Sequence, residues 1–394
     1  MNRGGTMKEI QLKYTFLQIF YWLSSCALQG YTAILLLSKG LSNTEIGIVT
    51  GVSCVLSIFL SPYISSMPTK FKGLTVKKLI YACSLLSAVS FVALSFVKLP
   101  VFVIMFLYIF AILVFVAIVP FLSKIATDYI HEGYTLNFGL ARGMGSVSYA
   151  TSALILAQFV NYFSPDFVSV IYSVGSILFM GLLATIDIKE SEDDISANGN
   201  VFTIIQKYKS LFFTLCGFAL CFAGGVTCAT YLIHIVKNLG GDTTMYSIAV
   251  FLMAVSEMPA MSVTRRLMRR FKTMDLIIVA GVCYLIRNVL ICIAPNLFVL
   301  FIGMLFQSAS YGLLTSLLTY HVTDTCDKED EMMGQTLIAI MTTGIGSTLG
   351  NVVGGVLQDT FGIQAMLLFV IVLTVIGSAI MVATGLKYRN SNGV

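Results

Sequence analysis

Apolar residues run through this chain in long blocks, without the strict alternation of a half-buried strand. A helix needs roughly 20 apolar residues to cross a bilayer. Twelve blocks of about that length follow one another, near 14–37, 44–66, 79–97, 101–126, 138–163, 167–186, 209–236, 244–266, 274–294, 297–321, 334–357 and 362–386. They predict an all-α integral membrane protein with 12 transmembrane helices. The alternating segments of roughly ten residues that build a membrane barrel are missing from the pattern. One interior stretch is plainly hydrophilic: 187–200, with Lys-Glu-Ser-Glu-Asp-Asp at its core. It separates an N-terminal six-helix half (1–186) and a cytoplasmic linker (187–208) from a C-terminal six-helix half (209–394).

Composition sharpens this picture. The 394 residues are 57% hydrophobic and 11% charged, against about 25% charged in soluble domains. Too few polar groups remain to cover a water-facing surface. The net charge of +5 invites a nucleic-acid partner, but the basic residues sit in short loops between apolar blocks, where they set orientation. With the N-terminus inside, 18 of the 24 Lys and Arg residues fall on the cytoplasmic side. Three (Lys39, Lys98, Lys237) fall outside and three (Lys124, Arg142, Arg287) within spans. This predicts a multi-pass protein of the cell membrane with both termini cytoplasmic, and no nucleic-acid partner. The first apolar run is too long for a signal segment and lacks an Ala-x-Ala cleavage site, so a retained first helix is expected. The nine cysteines are scattered without a CxxC, so neither a disulfide framework nor a metal site is indicated. No GxxxxGK[ST], HExxH or GxSxG occurs, which leaves an ATP-driven pump or a membrane protease without support and points away from an enzyme.

The polar groups inside the spans carry the candidate chemistry. The stretch 138–150 reads Phe-Gly-Leu-Ala-Arg-Gly-Met-Gly-Ser-Val-Ser-Tyr-Ala and places Arg142 in the first turns of span 5. A charge costs about 2.5–3.5 kcal/mol at the centre of an inserted helix. Two readings are open: the guanidinium snorkels to the headgroups, or it lines a polar cavity. The small residues around it let a neighbouring helix approach closely. Gly143-Met-Gly145-Ser146 recurs 201 residues later as Gly344-Ile-Gly346-Ser347, with Thr343 at the position of the arginine. This repeat predicts shared helix packing at Gly143, Gly145, Gly344 and Gly346, and a binding charge in one half.

Glu257, in Ala-Val-Ser-Glu-Met-Pro, is the one carboxylate deep in a span. It lies nine residues from the Arg265–Lys272 cluster, hence about 13 Å deep at 1.5 Å per residue. An unpaired buried carboxylic acid titrates closer to neutrality than an exposed one, as proton coupling requires; a permanent ion pair is the other reading. Arg287, in mid-span 9, keeps its proton and must find an anion or carbonyls, and Glu257 is the expected partner. Lys124 and Asp128 are four residues apart and suit an interfacial pair. His234 is an interfacial histidine near the end of span 7. Gln29, Tyr149, Asn288, Gln307, Tyr311 and Gln335 add neutral hydrogen-bonding groups. Such groups suit sugars and nucleosides, although span polar residues also serve packing.

Two six-span halves in parallel repeat are the layout of major facilitator transporters, whose site lies at the midplane between halves. Phe138-Gly-x-Ala-Arg142-x-x-Gly145-Ser146 resembles the fifth-helix motif of the lactose permease branch of that superfamily, which holds proton/oligosaccharide symporters and related nucleoside and phenylpropionate permeases. Gly40-Leu-Ser-Asn-Thr-Glu-Ile-Gly47 resembles the segment leading into helix 2. Ser256-Glu257-Met-Pro259 and Arg287 resemble helix 8 and helix 9 positions, and Gly334-Gln335, Gly346 and Gly354-Gly355…Asp359-x-Phe-Gly362 resemble helix 11 and its following loop. The resemblance implies that Arg142 is the sugar-binding arginine, Tyr149 the stacking aromatic and Arg287 a member of the proton network. Glu257 falls one turn from the branch's helix 8 glutamate. The branch's helix 4 glutamate aligns near Lys124, its helix 10 His/Glu pair has no match in Phe306-Gln-Ser-Ala-Ser-Tyr311, and its loop aspartate is missing from 66–72. Lactose itself is therefore not implied.

The expected function is secondary active transport of a small polar solute, a sugar or oligosaccharide first, by alternating access with proton coupling, as a monomer in the bilayer and without a cofactor. Substrate contacts are expected from Arg142, Tyr149, Gln29, Gln307, Tyr311 and Gln335, and proton coupling from Glu257 and Arg287. A nucleoside permease and an exporter of amphipathic or aromatic compounds are the alternatives on this fold. A sensor or scaffold would need a soluble effector domain, for which neither terminus has the length.

Overall fold

The computed structural model describes residues 3–71, 73–134, 136–188 and 205–388. Helices account for nearly all of them, and no strand occurs among the described residues. Eleven helices are long and apolar enough to cross a membrane. A bent pair, Lys8–Gly30 with Thr32–Ser38, makes a further span with a 48° bend. This pair is span 1. Spans 2–6 are Asn43–Ser65, Val76–Ser95, Val101–Ile130, Leu140–Tyr162 and Phe167–Ala184. Spans 7–12 are Lys209–Thr230, Thr243–Met268, Thr273–Cys292, Leu297–Val322, Met333–Phe361 and Ile363–Tyr388. The hydrophilic linker expected at 187–208 falls mostly outside the described residues. So do Lys72, Lys189 and Arg389, three of the basic residues behind the predicted orientation.

The spans end where local chemistry stops a helix. After the short helix Thr32–Ser38, Gly40 turns to φ 86°. Its N–H bonds Leu37 O, while Leu41 N–H bonds Leu36 O. This is the paired arrangement that closes a helix on a left-handed residue. Span 7 continues into Leu232–Asn238 and ends the same way: Gly240 (φ 78°) bonds Lys237 O, and Gly241 bonds Val236 O. The next helix starts on a side-chain cap in each case. Ser42 Oγ accepts from Glu45 N–H at 3.2 Å, and Ser42 N–H donates to Glu45 Oε2 at 2.7 Å, a reciprocal capping box. Asp242 Oδ1 accepts from Met245 N–H at 2.9 Å.

Three spans contain wide π-turns that hydropathy did not foretell, at Cys26–Gly30, Ser308–Gly312 and Ile340–Gly346. Such turns often mark functional positions within helices. Here they hold Gln29, Tyr311, Gly344 and Gly346.

The chain divides into two compact units: residues 1–41 with 56–195, and residues 42–55 with 196–394. The first half of span 2 therefore groups with the second unit. Unit 1 has an aromatic core in which Tyr21 stacks on Phe115 at 4.4 Å. Its buried tyrosines each find an acceptor: Tyr31 donates to Ala153 O and Tyr108 to Leu28 O, both at 2.6 Å. Satisfying each buried hydroxyl is what makes such residues tolerable inside a membrane bundle. Unit 2 is held by close helix approach. A Cβ at Gly217 would lie 2.6 Å from Gly377 O, and one at Gly377 equally close to Gly217 O. Spans 7 and 12 thus touch backbone to backbone at this pair.

Candidate functional site

In unit 1, two helix faces meet at the arginine that stood out in the sequence. Arg142, Ser146 and Tyr149 fall at i, i+4 and i+7 on span 5, so they share one face. Arg142 Nη1 donates to Ser146 Oγ at 2.8 Å. The guanidinium carbon lies 3.8 Å from the ring centroid of Trp22 on span 1, a cation–π stack. Trp22 is itself held: its indole N–H donates to Gln18 Oε1 at 3.0 Å, Gln18 Nε2 donates to the Tyr14 hydroxyl at 2.8 Å, and that hydroxyl donates to Leu122 O at 2.9 Å. Exposure grades along this face, from buried Tyr14 and Gln18 through half-buried Trp22 and Arg142 to exposed Gln29. Gln29 Nε2 donates to Ser25 Oγ at 3.1 Å. Tyr149 comes alongside the π-turn: a Cβ on Gly30 would lie 2.9 Å from its hydroxyl oxygen. Arg142 and Tyr149, predicted separately, thus share the span 5 face that meets span 1, and Gln29 lies in the span 1 π-turn beside Gly30. Gly145, predicted as a packing residue, is where the indole fits, since a Cβ there would overlap Trp22 Cδ1.

Lys124 and Asp128 approach at 3.6 Å, as their spacing predicted. A cavity of about 330 Å³ lies at the start of span 1, lined by Glu9, Lys13, Tyr14, Tyr129, Glu132 and Asp187 among others. Its lysine is already paired with Glu9 at 2.7 Å.

In unit 2, the half-buried Glu257 accepts a hydrogen bond on Oε1 from Gln307 Nε2 at 2.7 Å. Span 10 comes close at this point because Gly312 has no side chain; a Cβ there would lie 3.2 Å from Glu257 O. Gln307 is 7% exposed, and its Oε1 has no hydrogen-bond partner. Tyr311 packs against Phe222 with centroids 5.7 Å apart.

Arg287 departs from expectation. It makes no ion pair with Glu257 or with any other carboxylate among the described residues. Its Nη1 donates to Asn288 Oδ1 at 2.8 Å, its Nη2 lies 3.9 Å from Met253 Sδ, and its Nε is buried without a partner. Asn288 Nδ2 continues the chain to Thr374 Oγ1 at 2.8 Å. Glu257 is taken up by Gln307 instead, and the neighbouring Asn288 supplies the carbonyl oxygen that Arg287 needs. Gln335 is engaged away from this group, donating to Thr319 O at 3.0 Å near the start of span 11. His234 Nε2 lies 2.6 Å from Asn43 Oδ1, inside the second unit.

Sequence reasoning missed Trp22, Gln18 and Met253. Trp22 lies in an apolar block, where hydropathy alone gives it no role. The available signal was its spacing: Gln18, Trp22, Ser25 and Gln29 form one polar stripe along span 1, and Trp22 is the single tryptophan in the chain.

Residues 10–370, over nine-tenths of the chain, match the family described as the MFS_1 like family. The chain belongs to that family. This MFS_1-like protein is a multi-pass membrane transporter of the major facilitator type, and its family and structural neighbours are transporters rather than enzymes. It is 21% identical over 342 residues to the uncharacterized transporter YwbF of Bacillus subtilis, covering 86% of this chain and 84% of that one. It is 23% identical over 281 residues to the maltose permease of Geobacillus stearothermophilus, covering 70% of each. The fold matches the crystal structure of nucleoside transporter NupG with a TM-score of 0.80 at 14% identity, over 99% of this chain and 100% of that one. A D-xylose-proton symporter matches with a TM-score of 0.68 at 14% identity, over 94% and 96%.

Proposed function

We propose that this MFS_1-like protein is a proton-coupled secondary transporter that carries a sugar or oligosaccharide across the cell membrane by alternating access, with both termini cytoplasmic. The observation that carries the reading is the Glu257–Gln307 pair. The ionised carboxylate accepts from the amide N–H₂ of Gln307. A protonated carboxyl needs an acceptor instead, and turning the Gln307 amide over presents its buried, unpartnered Oε1. The site thus offers a hydrogen bond to each protonation state, as a group that loads and unloads a proton requires. Arg287, a fixed cation in the same unit, biases the protonation of the carboxyl. On the substrate side, Arg142, Tyr149 and Gln29 join a planar donor fork, an aromatic face and an amide, the groups that bind hydroxyl-rich rings. The named maltose permease relative supports the oligosaccharide class, and the clustering of Lys and Arg supports the orientation.

A nucleoside is the second reading, favoured by the two aromatic side chains, Trp22 and Tyr149, near Arg142. Uptake of radiolabelled maltose, xylose and uridine into proteoliposomes, with and without an inward proton gradient, separates these readings. One solute should accumulate only with the gradient, and Glu257→Gln should abolish accumulation while equilibration persists. Accumulation indifferent to both the gradient and Glu257→Gln sinks the coupling.

A further inference from the structure

Arg142 is a long, rotatable side chain at the edge of an exposed face, yet ligand recognition by its planar fork depends on orientation. Guanidinium geometry is useful only when the plane is set before the ligand arrives, because ordering it on binding weakens affinity. Unit 1 sets that plane. Ser146 Oγ fixes one end of the fork at 2.8 Å, and the Trp22 indole lies against the guanidinium at 3.8 Å. The indole cannot spin freely. Its N–H is tied to Gln18, Gln18 is tied to Tyr14, and the Tyr14 hydroxyl ends on the backbone carbonyl of Leu122 in span 4. Tyr21 also meets the indole, with ring centroids 5.4 Å apart and the rings nearly perpendicular. Gly145 leaves the room that the ring occupies.

We infer that Trp22 is a positioning residue for substrate binding: anchored by the Gln18–Tyr14 chain, it holds the Arg142 guanidinium in the plane that receives substrate hydroxyls. This rests on the reading of Arg142 as a substrate contact. Trp22 acts through Arg142, so its loss raises KM and leaves the maximal rate nearly intact. Anchoring also explains why a buried glutamine sits four residues before the tryptophan. Gln18 has both its amide groups engaged in the chain, one to Trp22 and one to Tyr14.

The test uses purified full-length protein in proteoliposomes with maltose, xylose and uridine as probes. For whichever probe the wild type takes up, Trp22→Leu should raise KM about 10-fold, the scale of a partly desolvated cation–π contact, with the maximal rate within about twofold. Trp22→Phe keeps a ring face and should recover most of the affinity. Gln18→Leu should produce a smaller rise. Because Trp22 is the only tryptophan, saturating probe should also change the wild-type emission, and Arg142→Lys should remove that change. Unaltered KM in both Trp22 variants, or emission blind to saturating probe, overturns the inference and leaves the substrate reading standing, provided Arg142→Lys impairs uptake. Uptake indifferent to Arg142→Lys, or no uptake of any probe by the wild type, fells the substrate reading and this inference with it.

Discussion

The two units repeat one backbone plan at an offset of about 200 residues and use it for opposite purposes. Each has a first helix that breaks at a tyrosine, Tyr31 or Tyr231, whose hydroxyl donates to a carbonyl of the span 5 or span 11 helix. Each then closes on a glycine of positive φ, Gly40 or Gly240. The side chains diverge where these helices meet their partners. In unit 1, span 5 presents Arg142 and Tyr149, and span 1 answers with Trp22 and the open π-turn at Gly30. In unit 2 the equivalent positions are Thr343, which is exposed, and Gly350, which meets the backbone of Ala223, while a Cβ at Gly346 would lie 3.1 Å from Phe222 Cδ1. Small residues in unit 2 bring backbone against backbone; in unit 1 the same motif makes room for a large ring and a charge. A repeated glycine therefore has one cause in both halves, close approach, but the occupant of the space differs.

That difference has its largest expected effect at the glycines themselves. A Cβ at Gly350 would overlap the carbonyl of Ala223, which is backbone and unable to swing aside. Gly350→Ala should lower stability by about 1–3 kcal/mol, the range for overpacking, visible as a lower melting temperature in detergent. At Gly145 the obstacle is the Trp22 side chain, which can shift. Gly145→Ala should melt within about 1 kcal/mol of wild type while weakening uptake affinity through the disturbed stack. Equal destabilisation by both variants breaks the comparison.

The two arginines differ in the same sense. Arg142 is half-buried and stacked, whereas Arg287 is 2% exposed with an unpartnered Nε. Removing a buried charge relieves desolvation, but Arg287→Met also strips Asn288 Oδ1 of its donor. These effects oppose each other, so the net stability change should stay within about 2 kcal/mol of zero. Uptake by this variant should lose its dependence on the proton gradient. A much larger loss of stability would show that Arg287 is a structural pin and not a companion of Glu257.

Hydropathy made the twelve spans legible to within a few residues at most ends, because span length is set by the bilayer and Lys and Arg mark the loops. The fifth-helix arginine stood out for a related reason, since a charge among small residues has few places to go. Trp22 did not, because an aromatic in an apolar run looks the same whether it faces lipid or a guanidinium. The Arg287–Glu257 pairing was misjudged because sequence shows opposite charges on neighbouring spans but not the Gln307 amide and the Asn288 carbonyl oxygen that take their places. The π-turns were invisible for a further reason: they alter hydrogen-bond register without altering composition.

The smallest expected effect lies near the start of the first span of each unit. Unit 1 fixes its entry with Lys13, which pairs with Glu9 at 2.7 Å and reaches Thr185 O at 3.3 Å. Unit 2 uses Lys207, which contacts Asp327 and Asp330 at 2.6 Å each, with the Tyr208 hydroxyl donating to Asp330 at 3.0 Å. The bonds to Asp327 and Asp330 push the Lys207 ammonium above its ordinary value of 10.5. The bond from Lys207 holds Asp330 below its ordinary 3.8. Lys207 therefore contributes stability that is complete below pH 10.5 and fades as pH rises through its higher folded value. Asp330 contributes stability present above pH 3.8 and lost as pH falls through its lower folded value. The clamp should be flat across the neutral range and weaken at both extremes. Lys207 is solvent-exposed, so the effect is small and should shrink further in about 1 M salt, where screening acts within roughly 3 Å. Melting profiles of Lys207→Gln and Lys13→Gln against pH check this. Lys207→Gln should flatten the acid-side fall, and Lys13→Gln should leave it in place. An unchanged profile for Lys207→Gln would mean that the two aspartates are held by Tyr208 and the backbone alone.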